Sequence, residues 1–554
     1  MKNQSKLVLA AFLLSATPGM LTARTIASQM PETNLQPAKK VVKKKAAFLP
    51  PTMGWSTWNT FALNINENVI KQQADAMVKT GLKAAGYEYI NIDDGYWNGR
   101  DADGTLRINK EKFPNGMKVV ADYIHSKGLK AGIYSDAGDN TCGSGNKHPW
   151  GLGVGLAGHE EADCKTYFID WDYDFIKIDY CGGAHMGLDE QTQYTKIGNA
   201  IKHCEQMKGK DIVFNICRWA YPGNWARNVA DSWRTTGDIN GHWDNLKGIV
   251  KENLYIQAYT YGGHYNDMDM LEIGRTLNPD EENLHMAYWC IASSPLLVGC
   301  DMTKMSDHSL NLMKNRDLIA MDQDHLGIGA PVVYRDGEVY VVAKDIAQVH
   351  GTKRAVVVMN LSDNAQTISF PLSAVEFTGK VKVHDCLTQK DKGFAQKNFT
   401  TTVPAHGATA FYMTGARIEP KTYEAETAWL SKYQEIKNLP TARPMEADNA
   451  SQGVCVGYLG NDADNYMEWR NVWSNNGGTY KMSIRYASAE NRNLSVKVNG
   501  KEVTSFSNLN SGDYTKDWKT VTVNVKLHKG MNKVELGSAN GFAPNIDKMT
   551  LQKM

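Results

Sequence analysis

Neither sign of charge dominates this 554-residue chain, in which lysine plus arginine number 61 and aspartate plus glutamate 60. Without a long-range field to draw a polyanion, nucleic acid and acidic lipid are excluded as partners. Long apolar runs are missing as well. The run near the start, Leu7 to Ala16, is too short to span a bilayer. Cysteine is sparse, nine in all and none before Cys142, which excludes a dense disulfide framework and a lipid-bearing cysteine near the start. The 14 histidines form no cluster with ligand spacing, so metal-dependent hydrolysis finds no support.

Lys2 and Lys6 precede the short apolar run, and Leu21-Thr22-Ala23 ends on a small residue suited to cleavage. This pattern predicts a signal peptide over 1–23 and a secreted or periplasmic protein. Residues 24–49, with prolines and the lysines at 39, 40, 43, 44 and 45, read as a solvated linker. A chain of this length exceeds one core, and two to four domains are expected.

From Pro50 apolar strands alternate with helical periods. Strands are predicted at Thr52–Trp58, Tyr87–Ile92, Leu129–Asp136, Phe175–Asp179, Ile212–Cys217, Ser232–Thr235 and Pro295–Gly299. Helices fall between them, one capped by Asn66 with Ile70, Ala74 and Met77 on a single face, another over Met117–Ser126 and a third around His159 to Ile169. About eight such units over 50–325 fit a closed (β/α)8 barrel of the TIM type, whose function sits at the C-terminal strand ends. Residues 326–416, with EVYVVAKD, RAVVVMNLSD, TISFPL and ATAFYMTG, switch to period two and predict an antiparallel β-sandwich domain. Residues 417–554 predict a second, jelly-roll-like β-sandwich.

The strand ends carry carboxylates: Asp93 and Asp94, Asp136, Asp179 and Asp238. One such residue is usually a helix cap, but several converging on one rim suggest a site. Lys177 and Asp179, two apart on a strand, face the same way. Breaking a glycosidic bond needs one carboxylate at the anomeric carbon and one carboxylic acid at the leaving oxygen. Asp179 suits the first role because Lys177 favours its charged form. Asp238 suits the second, its pKa expected to rise beside an ionised Asp179. Asp93 and Asp94 suit sugar hydroxyls, and Trp55 offers an apolar face. In the last unit Glu424 and Glu426, on one strand face, could join Asp547 as hard oxygen ligands for a structural calcium.

Met53-Gly54-Trp55, Ile92-Asp93-Asp94, KAGIYSD over Lys130–Asp136, Gly158 to Glu161, Lys177 to Cys181, Arg234 to Ile239, Asn266 to Leu271 and Ser294-Pro295-Leu296 together resemble the motif series of glycoside hydrolase family 27, in order and spacing, over about residues 50 to 415. The resemblance implies a retaining mechanism with Asp179 as nucleophile and Asp238 as acid/base, and no catalytic cofactor. It places Trp55, Asp93, Asp94, Tyr134, Lys177, Arg234 and Asp269 around the sugar, with the aspartate pair on the 4- and 6-hydroxyls. It also implies a Cys142–Cys181 disulfide. The final unit is similar to carbohydrate-binding modules of families 6 and 35, through Tyr423 to Glu426 and Asn545 to Asp547, which implies that Glu424, Glu426 and Asp547 bind calcium.

Where the family commonly has Cys-Glu-Trp this chain has Cys217-Arg218-Trp219, and Arg218 could face a different 2-substituent or an acidic group. The expected activity is a secreted or periplasmic exo-acting α-galactosidase on oligo- or polysaccharides. The alternatives are α-N-acetylgalactosaminidase or β-L-arabinopyranosidase, and, more remotely, a non-catalytic sugar-binding protein, against which the presence of both Asp179 and Asp238 argues.

Overall fold

The computed structural model describes residues 49–144, 151–434 and 440–554. The expected signal peptide, and all of the expected linker except Leu49, lie outside them.

Eight parallel strands form the first unit: β1 (Met53–Ser56), β2 (Tyr89–Asn91), β3 (Lys130–Asp136), β4 (Phe175–Asp179), β5 (Val213–Ile216), β6 (Ser232–Arg234), β7 (Tyr265–Asp267) and β8 (Leu296–Val298). Each pairs with its successor from β1 to β7, and β8 pairs with β1. A parallel bridge from Leu271, just past β7, to Val298 closes the ring. The barrel is therefore the one the alternation predicts. Asn66 caps the helix Glu67–Lys79 by accepting from the Val69 N–H at 3.0 Å, and Ile70, Ala74 and Met77 are buried beneath it. The helix Met117–Ser126 has the predicted bounds. The third expected helix is shorter, Glu160–Lys165, and loosens into a π turn over Thr166–Asp170.

Strand β7 is absent from the expected set. Its three residues, Tyr265, Asn266 and Asp267, offer no apolar run, yet all are buried. Their polar groups are satisfied by distant partners: Asn266 Nδ2 donates to the Ile256 carbonyl at 2.8 Å, and Asn215 Nδ2 donates to Asp267 Oδ2 at 2.8 Å. A buried polar strand is stable only with such partners, and no local pattern reveals them.

The second unit is an eight-stranded antiparallel sheet from Val332–Asp336 to Ala408–Arg417. Its halves share one core, in which Val341 and Val356 meet Ile368, Phe370, Phe399 and Phe411. The third unit stacks two sheets, one centred on Gly478–Ala487 and Asn545–Lys553, the other on Met467–Ser474 and Gly530–Gly537. It is tied to the others. Trp473 stacks on His350 at 4.5 Å, Arg470 Nη1 donates to the Tyr261 hydroxyl at 2.9 Å, and Tyr433 stacks on Tyr221 and Tyr259 at 5.5 and 5.6 Å. No helix among the described residues is long and apolar enough to cross a membrane.

Candidate active site

Strands β3 and β4 run in register, Tyr134 opposite Lys177 and Asp136 opposite Asp179. Alternation then turns Phe175 and Lys177 into the barrel mouth, where both line a cavity together with Asp93, Tyr134, Arg234 and Asp269. Asp179, the next residue on that face, is only 5% exposed. The Tyr134 hydroxyl donates to its Oδ2 at 2.7 Å, and Lys177 Nζ stands 3.8 Å from its Oδ1 and 3.1 Å from Asp93 Oδ2.

Burial pushes the Asp179 carboxyl up, against the Lys177 charge and the Tyr134 hydrogen bond. Burial also works against the Lys177 ammonium, but Asp179 and Asp93 outweigh it and hold the lysine well above its ordinary range. One cation thus stands between two carboxylates, which offsets the cost of charging Asp179 in a buried site.

The aspartate pair is held differently on its two sides. Asp93 accepts from Lys177, while its own N–H donates to Thr57 Oγ1 at 2.9 Å. Asp94 Oδ2 accepts from the Gly143 N–H at 2.8 Å, and burial pushes its carboxyl up to about 6 against that bond. A Cβ at Gly143 would lie 2.6 Å from Asp94 Oδ2, so a larger residue there would displace that carboxylate.

Across the mouth, Arg234 Nη2 lies 2.7 Å from Asp269 Oδ2 and 3.1 Å from Asp238 Oδ1. Asp269 is buried with its backbone in the left-handed region at φ 81°, a conformation an aspartate adopts at some cost. The N–H groups of Ile239 and Met270 donate to its two oxygens at 2.8 Å, and burial pushes its carboxyl up to about 6 against the pull of Arg234. The Asp238 side chain is 62% exposed, the accessible partner in an otherwise closed cluster.

The expected Cys142–Cys181 disulfide is present, with Cα atoms 5.1 Å apart. It follows the nucleophile candidate by two residues, and Cys142 Sγ lies 3.3 Å from Asp179 Oδ2. Beneath it Asp136 accepts from the N–H groups of Gly138, Gly182 and Gly183 at 2.7, 3.0 and 3.3 Å. Asp136 is therefore a clamp for the turn after β4, with a carboxyl that burial raises to about 7. Among the described residues the one compact group of possible metal ligands is Asp136, Cys142 and Cys181, and the disulfide consumes both thiols.

Three expected sugar contacts are not among the residues lining this cavity: Asp94, which is buried against the Gly143 N–H, Trp55 and Arg218. Trp55 is fully buried, with its indole N–H on the Cys300 carbonyl at 2.8 Å and its ring edge-on to Phe61. Arg218 lines a second, smaller cavity with Tyr221, Trp225 and Gln434, where its Nη2 donates to Glu190 Oε1 at 2.5 Å. Sequence reasoning missed Thr57, the Asp136 clamp and the Cys217 thiol; the only signal for the last was its place in Cys-Arg-Trp.

In the third unit Glu426 is buried, and the Glu424 and Asp547 charges both act on its carboxyl, but Glu424, Glu426 and Asp547 do not form a compact ligand group. Glu424 Oε1 accepts from Ser451 Oγ at 2.9 Å, whereas Glu424 Oε2, both Glu426 oxygens and Gln452 Oε1 are buried without a hydrogen-bond partner among the described residues. Asp547 is committed elsewhere, to the Ser451 N–H and to Arg485 Nη1, both at 2.6 Å.

Three family models match the chain in order: Alpha galactosidase A over residues 50–324, Alpha galactosidase C-terminal beta sandwich domain over 336–413, and Carbohydrate binding module (family 6) over 441–553. Alpha-galactosidase A of Cellvibrio japonicus is 36% identical over 395 residues, covering 67% of this chain and 92% of the relative. The alpha-galactosidase of Oryza sativa subsp. japonica is 39% identical over 369 residues, 66% of this chain and 84% of its own. The crystal structure of alpha-galactosidase I from Mortierella vinacea superposes with a TM-score of 0.61 at 28% identity, covering 66% of this chain and 98% of that one.

Proposed function

The chain belongs to the alpha galactosidase A family, and on that premise we propose that it is an exo-acting, retaining α-galactosidase that removes terminal α-galactosyl residues from oligo- or polysaccharides. The observation that carries the proposal is Asp179 itself, a buried carboxylate at the end of β4, braced by Tyr134 and offset by a lysine shared with Asp93. In this reading Asp179 attacks the anomeric carbon while Asp238 protonates the leaving oxygen, and Asp238 then takes a proton from the water that releases galactose. Arg234 and Asp269 hold Asp238 at the mouth. Asp93, Asp94, Lys177 and Tyr134 supply hydroxyl contacts.

A second reading, an α-N-acetylgalactosaminidase or a β-L-arabinopyranosidase, rests on the missing glutamate at position 218: Arg218 is turned into the neighbouring cavity by Glu190 and puts no carboxylate at the sugar cavity. Aryl α-galactoside, α-N-acetylgalactosaminide, β-L-arabinopyranoside and α-glucoside separate the two. The expected result is a kcat/KM highest on the α-galactoside and near background on the α-glucoside. Preference for either middle substrate selects the second reading, and turnover of none removes both.

The third unit is proposed to hold the enzyme on carbohydrate and to carry a structural calcium. The orphaned oxygens of Glu424, Glu426 and Gln452 fit a hard cation, which prefers oxygen ligands. Asp547 would join them by giving up its Arg485 partner. Burial raises the Glu426 carboxyl well above its usual range, a burden that a bound cation removes. Treating the full chain with a chelator is expected to lower its first melting transition by several degrees, and added calcium to restore it. A melting curve indifferent to both would remove the calcium. Export to the periplasm or beyond is proposed from the leader pattern and is consistent with the disulfide.

A further inference from the structure

We infer that the smaller cavity, the one lined by Arg218, is a subsite for the sugar that leaves, completed by the third unit and built to take that sugar's hydroxyl groups. The inference rests on the reading of Asp179 and Asp238 above. In the ring β5 lies between β4, which ends on Asp179, and β6, from which the chain runs to Asp238. The Cys217 N–H donates to the Ile178 carbonyl at 2.8 Å and carries the β4–β5 pairing one residue past β5. Arg218 therefore departs from the rim on the side of Asp179 that faces β6. A leaving oxygen protonated by Asp238 has to lie on that side too.

Arg218 is 4% exposed, and only its Nη2 is engaged, by Glu190. Nε and Nη1 are buried without a hydrogen-bond partner among the described residues. A buried donor left unmade costs free energy that a ligand oxygen restores. Charge is not what the cavity lacks, because Glu190, at the start of the helix Glu190–Lys208, already offsets the guanidinium. An anion would meet that carboxylate. A hydroxyl both donates and accepts, and so suits Arg218 and Glu190 together with the side-chain amides of Gln191 and Gln434, which also line the cavity. Tyr221 and Trp225 commit their polar atoms to Asn224 and the Pro222 carbonyl, leaving ring surface for the C–H groups of a sugar. Gln434 belongs to the third unit. Asn224 Nδ2 fixes its approach by donating to the Leu430 and Ser431 carbonyls at 3.0 and 2.7 Å, and Tyr433 stacks on Tyr221. Gly223 makes room, since a Cβ there would lie 2.5 Å from Gln434 Nε2.

The test compares kcat/KM of the full chain on α-galactosyl fluoride, whose leaving group is too small to enter the cavity, with that on α-1,3-, α-1,4- and α-1,6-linked galactosyl disaccharides. The double variant Arg218→Met/Glu190→Gln removes the donors without stranding a carboxylate. Its ratio of kcat/KM on the best disaccharide to that on the fluoride is expected to fall about tenfold, through KM, and that of Gln434→Ala about threefold. Gln434→Ala removes only the third unit's contribution and carries the test if the double variant does not fold. A ratio unmoved in both variants overturns the inference. So does a loss on the fluoride as large as that on the disaccharide, which would assign Arg218 to the galactosyl unit itself, and so does a wild type that hydrolyses the fluoride alone. A wild type inert on the fluoride and on every disaccharide removes the proposed activity, and the subsite with it; one that releases galactose from both while the variants keep its ratio removes the subsite only.

Discussion

Asp179→Gly should lower kcat on an aryl α-galactoside by about 10⁴-fold, because the group removed is the one proposed to form the covalent bond on which both half-reactions depend. The fold should survive. The lost side chain is a buried carboxylate that burial already disfavours, and Lys177 keeps Asp93 as its partner. The chemistry offers a sharper reading than the rate alone. Azide added to Asp179→Gly enters the vacated space and attacks the α-galactoside directly, so the expected product is the β-galactosyl azide. Azide added to Asp238→Ala meets the covalent intermediate instead, and two inversions give the α-galactosyl azide. With a good leaving group, Asp238→Ala should form the intermediate at a useful rate and stall at its hydrolysis. A β-azide from the Asp238 variant, or an active Asp179→Gly, would exchange or remove the assignments.

The second large effect is expected from the double variant Cys142→Ser/Cys181→Ser. Its disulfide joins positions 39 residues apart, and the loop-entropy relation puts the loss at about 4 kcal/mol for a cross-link of that length. Activity should fall further than stability explains, because the cross-link also shapes the site. Gly143, beside one end, donates to Asp94, while the Cys142 sulfur touches the Asp179 carboxylate. Freeing this loop is expected to raise KM through Asp94 and lower kcat through Asp179. The check is thermal unfolding and steady-state kinetics of the double variant beside the wild type with and without a reductant. A double variant with wild-type melting and wild-type kinetics would leave the bridge without either role.

Much of the site was legible in the sequence because its logic is local. Period two in a strand fixes that Lys177 and Asp179 share a face, and an apolar run followed by a carboxylate marks a strand end wherever the strand lies in space. The same holds for the Asn66 cap, which needs only an amide oxygen and an N–H three residues on. The strand Lys390–Gln396 shows the limit. It is exposed along nearly its whole length, so no hydrophobic alternation announces it, and it is held by its neighbours in the sheet rather than by its own pattern.

By itself the sequence determined the three-unit architecture, the barrel and the pair of carboxylates proposed for the chemistry, since these follow from periodicity and from residue types at strand ends. Tertiary structure alone decided which side chains reach the cavity. Glu190, 28 residues before Arg218, turns that guanidinium into a second pocket. Trp55 disappears into the core because the Cys300 carbonyl, 245 residues away, takes its N–H. Cys217 meets Arg234 because β5 and β6 are neighbours in the ring. The direction of a long side chain and the charge state of a buried group depend on partners far along the chain, and only the closed barrel brings those partners within hydrogen-bonding distance.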